Sequence, residues 1–217
     1  MQYQAVLFDL DGTLIDSLAD IALATNRVMG MHGFPPHPVE AYKHMIGDGV
    51  RKLILRALPA DQRSNDTLVD RCIAAYSSDY GQHWNVHTCL YPGIAEMLDG
   101  LASRNIRLAV LSNKPDAFTQ VCARHFLSKW QFDVVMGAGT HFANKPDPAS
   151  ALEVARRLAL APHQFLYLGD MPVDMQTAAN AGMMAVGAAW GFRTGQELRA
   201  TGATHIANHP ADLLQLL

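Results

Sequence analysis

Four short apolar runs constrain this chain more than any other feature. Ala5 to Leu10, Ile106 to Leu111, Phe132 to Met136 and Phe165 to Leu168 are each of strand length and nearly continuous in hydrophobic side chains. A strand with one wet face alternates; a continuous run predicts a strand covered on both faces, as in a parallel sheet. Helical spacing fills the intervals, with Ile94, Met97, Leu98 and Leu101 in one and Leu152, Ala155, Leu158 and Ala159 in another. The alternation predicts an α/β fold, a doubly wound parallel sheet with helices on both faces. Met183 to Ala188 and Thr204 to Ala207 are weaker strand candidates.

The stretch from about Leu18 to Gln82 breaks this alternation. Leu18, Ile21, Ala22, Thr25, Val28 and Met29 mark one amphipathic helix. Val50, Leu53, Ile54 and Ala57 mark a second, and Leu68, Val69, Cys72, Ile73 and Tyr76 a third. No strand-like pattern interrupts them, so an all-helical insert is expected between the first strand and the rest of the sheet. The expected division is a core of residues 1–16 and 89–217 and an inserted helical domain of residues 17–88.

Composition narrows the partners. Of 217 residues, 49% are hydrophobic and 17% charged, which excludes a disordered chain. A net charge of -3 argues against a nucleic-acid surface or an anionic membrane as the main partner. No apolar stretch approaches the roughly 20 residues of a membrane helix. The start shows no basic region followed by an apolar run. Three widely spaced cysteines, Cys72, Cys89 and Cys122, form no disulfide framework, so a reduced, cytoplasmic protein is expected, as a monomer or small homo-oligomer.

Polar residues at the ends of the strand candidates carry the chemistry, where open α/β sheets bind ligands. Asp9-Leu10-Asp11-Gly12-Thr13 follows the first run, and residues two apart in extended chain point to the same side. Two carboxylates so placed repel each other unless a cation lies between them or one is protonated. A calcium loop is excluded, because its sixth position needs glycine and here holds Leu14. Ser112-Asn113 follows the second run and offers a hydroxyl and a carboxamide to phosphate oxygens, although alone it reads as an ordinary turn. Lys145 lies in Asn144-Lys145-Pro146-Asp147-Pro148, where two prolines stiffen the loop; alone it reads equally well as a solvated lysine before a helix. Gly169-Asp170-Met171-Pro172-Val173-Asp174 places one aspartate after a strand and a second one helical turn on. An N-cap role explains Asp170 but not Asp174. Together the segments present hard oxygen donors and one lysine, a set suited to Mg2+ and, through it, to a phosphate substrate.

These segments, in this order, resemble the four motifs of the haloacid dehalogenase superfamily, within its phosphoglycolate phosphatase-like branch. The likeness spans nearly the whole chain and includes the helical insert, which in that family is a mobile cap. It implies a Rossmann-like core and a magnesium-dependent phosphoric monoester hydrolase acting on a small phosphorylated metabolite similar to phosphoglycolate. By the same resemblance, Asp9 is the nucleophile that forms an aspartyl-phosphate, and Asp11 is the general acid and base. Ser112, Asn113 and Lys145 hold the phosphoryl group. The metal falls to the Asp9 carboxylate, the Asp11 backbone carbonyl and Asp170, with Asp174 behind them. Gly47-Asp48-Gly49-Val50-Arg51 looks like the cap loop of this branch, so Arg51 is a candidate for selecting substrate, though it reads equally as a surface arginine.

Alternatives stand beside this reading. A sugar-phosphate mutase shares all four motifs. A phospho-receiver module is also doubly wound and built on aspartate and lysine, but places its acceptor at a middle strand and has no helical insert. His83, His87 and Cys89 have a spacing that suits zinc only on a continuous helix, and Pro92 interrupts it. Gly137-Ala138-Gly139 lacks the rest of a dinucleotide fingerprint, so no nucleotide cofactor is expected.

Overall fold

A computed structural model describes residues 3–139 and 141–217. The chain divides into two compact units, one of residues 1–15 and 90–217 and the other of residues 16–89.

The larger unit is built on a six-stranded sheet whose strands are all parallel. Two-residue strands, β2 (Ile15–Asp16) and β3 (Cys89–Leu90), mark where the chain leaves and re-enters this unit. The sheet strands are β1 (Ala5–Phe8), β4 (Arg107–Pro115), β5 (Val134–Ala138), β6 (Phe165–Gly169), β7 (Met184–Ala188) and β8 (His205–Ala207). They lie in the order β5-β4-β1-β6-β7-β8. Counted among themselves, the sheet strands run 3-2-1-4-5-6, the doubly wound order whose reversal beside the first strand opens a crevice at the carboxyl ends.

Side chains of β1 explain the continuous apolar run. Ala5 and Leu7 point to one face and Val6 and Phe8 to the other, and all are fully buried. Helices α4 (Ile94–Ser103), α5 (Asp116–Phe126), α6 (Ala149–Leu158) and α7 (Pro172–Ala181) accompany the sheet. On the first face, Leu7, Ala109, Leu111, Phe165 and Tyr167 pack with Val154 and Leu158 of α6 and Met175 and Ala178 of α7. Each large side chain so buried stabilises the fold by roughly 1.5–3 kcal/mol. Helix α7 begins with Pro172, preset for a first turn, and ends at Gly182 in the left-handed conformation.

Two expected boundaries differ. β4 runs past Leu111 to Pro115, so Ser112 and Asn113 lie within its last stretch, where the register against β5 shifts. β5 starts at Val134, and Asp133 just before it pairs with Arg107 at 2.8 Å.

The smaller unit is helical: α1 (Leu18–Met31), α2 (Val50–Ala57) and α3 (Asp66–His83), with short 3-10 turns between them. Ile21, Val28 and Met29 of α1, Leu53 and Ile54 of α2, and Val69, Cys72, Tyr76 and Tyr80 of α3 are its buried residues. Asn65 caps α3 by accepting the Leu68 N–H at 3.1 Å. Asp20, fully inside this unit's own fold, accepts from the His87 and Thr88 N–H groups and from Thr88 Oγ1 at 2.7 Å. Among the described residues, no helix is long and apolar enough to cross a membrane.

Candidate active site

Four loops at the carboxyl edge of the sheet carry the candidate residues. After β1 the chain folds into a tight turn, with the N–H groups of Thr13, Leu14 and Ile15 all directed to the Leu10 carbonyl. The turn passes through Gly12 at φ +86°, a conformation that L side chains rarely adopt. A Cβ at Gly12 would stand 2.3 Å from Asp170 Oδ2, so the absence of a side chain lets two loops meet.

Asp9, Asp170 and Asp174 converge there. All are buried, and one carboxylate oxygen from each lies within 4.8 Å of the others. Asp9 Oδ1 accepts the Leu10 N–H at 2.7 Å. Asp170 accepts from Thr13 Oγ1 and from the Phe192 N–H, both at 2.8 Å. Asp174 Oδ2 accepts the Met171 N–H at 3.0 Å and so caps α7, leaving Oδ1 to face the cluster. Asp174, not Asp170, therefore closes the start of that helix.

Lys145 is the cation among them. Its ammonium lies 2.9 Å from Asp9 Oδ1, 2.6 Å from Asp174 Oδ1 and 3.2 Å from the Leu111 carbonyl. Far from being a solvated loop lysine, it is almost fully enclosed, with 1% of its side chain exposed. Asn113 explains how it is placed: the carboxamide accepts the Lys145 N–H at 2.9 Å and donates to the Lys145 carbonyl at 3.2 Å. Ser112 is buried two residues before Lys114, whose N–H it accepts at 3.3 Å.

The electrostatics follow from the charge count. Burial pushes the Asp9 carboxyl up to about 7; Lys145 opposes the rise and Asp174 adds to it. Burial, then the Asp9 and Asp174 charges, hold Asp170 well above the usual carboxylate range. Burial works against the charge on Lys145, but Asp174 and Asp9 outweigh it and hold its ammonium well above the ordinary lysine value. One ammonium cannot neutralise three enclosed carboxylates. A clustered set of hard oxygen donors short of positive charge fits a divalent cation such as Mg2+.

Asp11 stands apart from this cluster. Both of its carboxylate oxygens are held by Lys114, at 2.9 and 3.1 Å. Lys114 was not among the candidates drawn from the sequence; a lysine directly after Ser112-Asn113, at the polar end of the strand, was the available signal. Tyr167 was also missed; its hydroxyl lies 3.5 Å from Asp174 Oδ1. Arg51 belongs to the helical unit, where it pairs with Asp66 at 2.5 Å and Asp70 at 2.7 Å.

The fold and this acidic edge define a class. Residues 6–188 match the haloacid dehalogenase-like hydrolase family, and the chain belongs to it. Within that family it falls in the phosphoglycolate phosphatase-like branch. It is 34% identical over 198 residues to a phosphoglycolate phosphatase of Pseudomonas putida, covering 90% of this chain and 72% of that protein. It is 33% identical to a phosphoglycolate phosphatase of Mannheimia succiniciproducens, covering 100% of this chain and 99% of that protein. A crystal structure of a Lactobacillus delbrueckii protein superposes with a TM-score of 0.92 at 28% identity, covering 100% of this chain and 98% of that one.

Proposed function

We propose that this protein is a Mg2+-dependent phosphatase that hydrolyses a small phosphorylated metabolite of the phosphoglycolate kind through an aspartyl-phosphate. The observation that carries the proposal is the enclosed trio Asp9, Asp170 and Asp174 with a single shared ammonium. The names of the curated relatives support the substrate class.

Asp9 is the nucleophile. Its carboxylate oxygen attacks phosphorus while the bond from phosphorus to the ester oxygen breaks. Asp11 gives its proton to the departing alkoxide and then takes one from the water that attacks the aspartyl-phosphate. That second attack breaks the bond between phosphorus and Asp9, releasing inorganic phosphate and restoring both carboxyl groups. Ser112 and Lys145 hold the phosphoryl oxygens, and Asn113 fixes the loop that carries Lys145. Asp9, the Asp11 backbone carbonyl, Asp170 and Asp174 are the residues that would hold the metal. When bound, Mg2+ supplies positive charge against the repulsion between carboxylate and phosphate. The helical unit acts as the cap that selects substrate, and Arg51 takes part by exchanging its aspartate partners for the substrate.

Phosphate release from an aryl phosphate tests the reading. It should require Mg2+, stop on chelation and vanish in Asp9→Asn. Retention of a stable phosphoryl group without turnover would identify a receiver, and its return to a sugar phosphate would identify a mutase.

A further inference from the structure

We propose, resting on the phosphatase reading above, that Lys114 recognises the leaving group and selects esters that carry a carboxylate close to the ester oxygen. Lys114 lies in the last stretch of β4, and its side chain is only 5% exposed. Lysines are almost never enclosed to this degree unless paired. The shift of register between Leu111 and Pro115 marks an irregularity of the kind that re-aims a side chain beside a site. The main chain of Lys114 is pinned on both sides, its N–H donating to Ser112 Oγ at 3.3 Å and its carbonyl accepting from Thr119 Oγ1 at 3.1 Å.

Two lysines divide the site between them. Lys145 gives its contacts to Asp9, Asp174 and the Leu111 carbonyl, on the side where phosphorus is attacked. Lys114 touches both carboxylate oxygens of Asp11. In the reaction above, Asp11 lies against the oxygen that departs, so an ammonium touching it stands beside the leaving group. A two-carbon leaving group brings its first substituent to that ammonium. A carboxylate there gains a charge-assisted hydrogen bond in a partly dry site. An ammonium substituent meets like charge, and a hydroxyl gains only a neutral contact. Selection of this kind originates in the core strand, independently of Arg51 in the helical unit.

The test compares three phosphate monoesters of matched size, those of glycolate, ethylene glycol and ethanolamine, by kcat/KM with the full chain and Mg2+. Wild type should prefer the carboxylate ester over the neutral one by roughly 10–100-fold, the range a charge-assisted bond supplies, with the cationic ester poorest. In Lys114→Gln the ratio of carboxylate to neutral ester should fall to within about threefold, mainly through KM, and Lys114→Arg should recover part of it. If Lys114→Gln does not fold, because Asp11 is left enclosed without its partner, Asp11→Asn/Lys114→Gln removes both charges together. Calorimetric affinities for the carboxylate and neutral esters then replace turnover, and their ratio should collapse relative to Asp11→Asn alone. An equal loss on all three esters, or an affinity ratio unmoved in the double variant, would show that Lys114 only positions Asp11 and would overturn the proposal. So would a wild type that prefers the neutral or cationic ester. A wild type inert toward these esters and toward an aryl phosphate would instead overturn the phosphatase reading, and this inference with it.

Discussion

The two units use the same charged residue types in opposite ways. In the helical unit, ion pairs lie at the surface: Arg27 meets Asp79 at 2.5 Å with 39% of the arginine side chain exposed, and Arg56 pairs with Asp48. At the carboxyl edge of the sheet, Lys145 meets Asp9 and Asp174 with 1% of its side chain exposed. Water screens the surface pairs, so each contributes little and charge need not balance locally. Enclosed charges have no such relief, and an imbalance among them persists only where something else completes it. Surface pairs such as Arg27–Asp79 are therefore replaceable, while the enclosed carboxylates at the edge of the sheet outnumber the Lys145 ammonium beside them. Four substitutions or titrations would break that contrast or sharpen it.

The largest effect is expected from Asp9→Asn, which keeps shape and removes the attacking charge. Mg2+-supported turnover should fall by at least about 10⁴-fold, whereas Asp79→Asn in the helical unit should change it by less than about threefold. Comparable losses from the two would erase the distinction.

Next is Lys145→Met, which strands two enclosed carboxylates. Urea unfolding of the metal-free protein should show a loss of about 3–5 kcal/mol. Arg27→Met, at the partly exposed pair, should lose less than about 1 kcal/mol. Equal midpoints for these two variants would mean that burial makes no difference here.

A titration addresses that imbalance of enclosed charge directly. Unfolded Asp9 releases its proton near 3.8, but burial in the fold holds that proton until about 7. Between those values the folded state binds more protons, so chelated protein should lose stability as pH rises from about 4 to about 7. The raised Asp170 acts in the same direction. Mg2+ competes with those protons, so its increment in Tm should grow across the same window. An increment independent of pH would remove these carboxylates from the metal site.

The smallest effects separate two glycines. Gly12→Ala and Gly33→Ala both force a side chain into positive φ, at +86° and +75°, which costs roughly 1–2 kcal/mol each. Only at Gly12 does the added Cβ meet the Asp170 carboxylate; at Gly33 nothing lies within 4 Å. Gly12→Ala should lower Tm by more than Gly33→Ala, and activity should be lost only in Gly12→Ala. Full activity in that variant would show that the loop yields.

Much of this molecule is written in local pattern. Continuous apolar runs placed β1 and β6 almost to the residue, and helical spacing marked α1, α2 and α3, because side-chain periodicity is a property of neighbouring residues. The order of the polar segments drew attention to Asp9, Lys145, Asp170 and Asp174, which do converge. What local pattern could not reveal depends on which strands lie side by side. Lys114 reaches Asp11 across 103 residues of sequence only because β4 pairs with β1. Asn113 clamps the Lys145 peptide 32 residues away because the loop after β5 folds back over the end of β4. Residue types and their spacing therefore determined which groups are available to the chemistry. The order of the strands, a long-range property of the packed sheet, decided which carboxylate each ammonium serves.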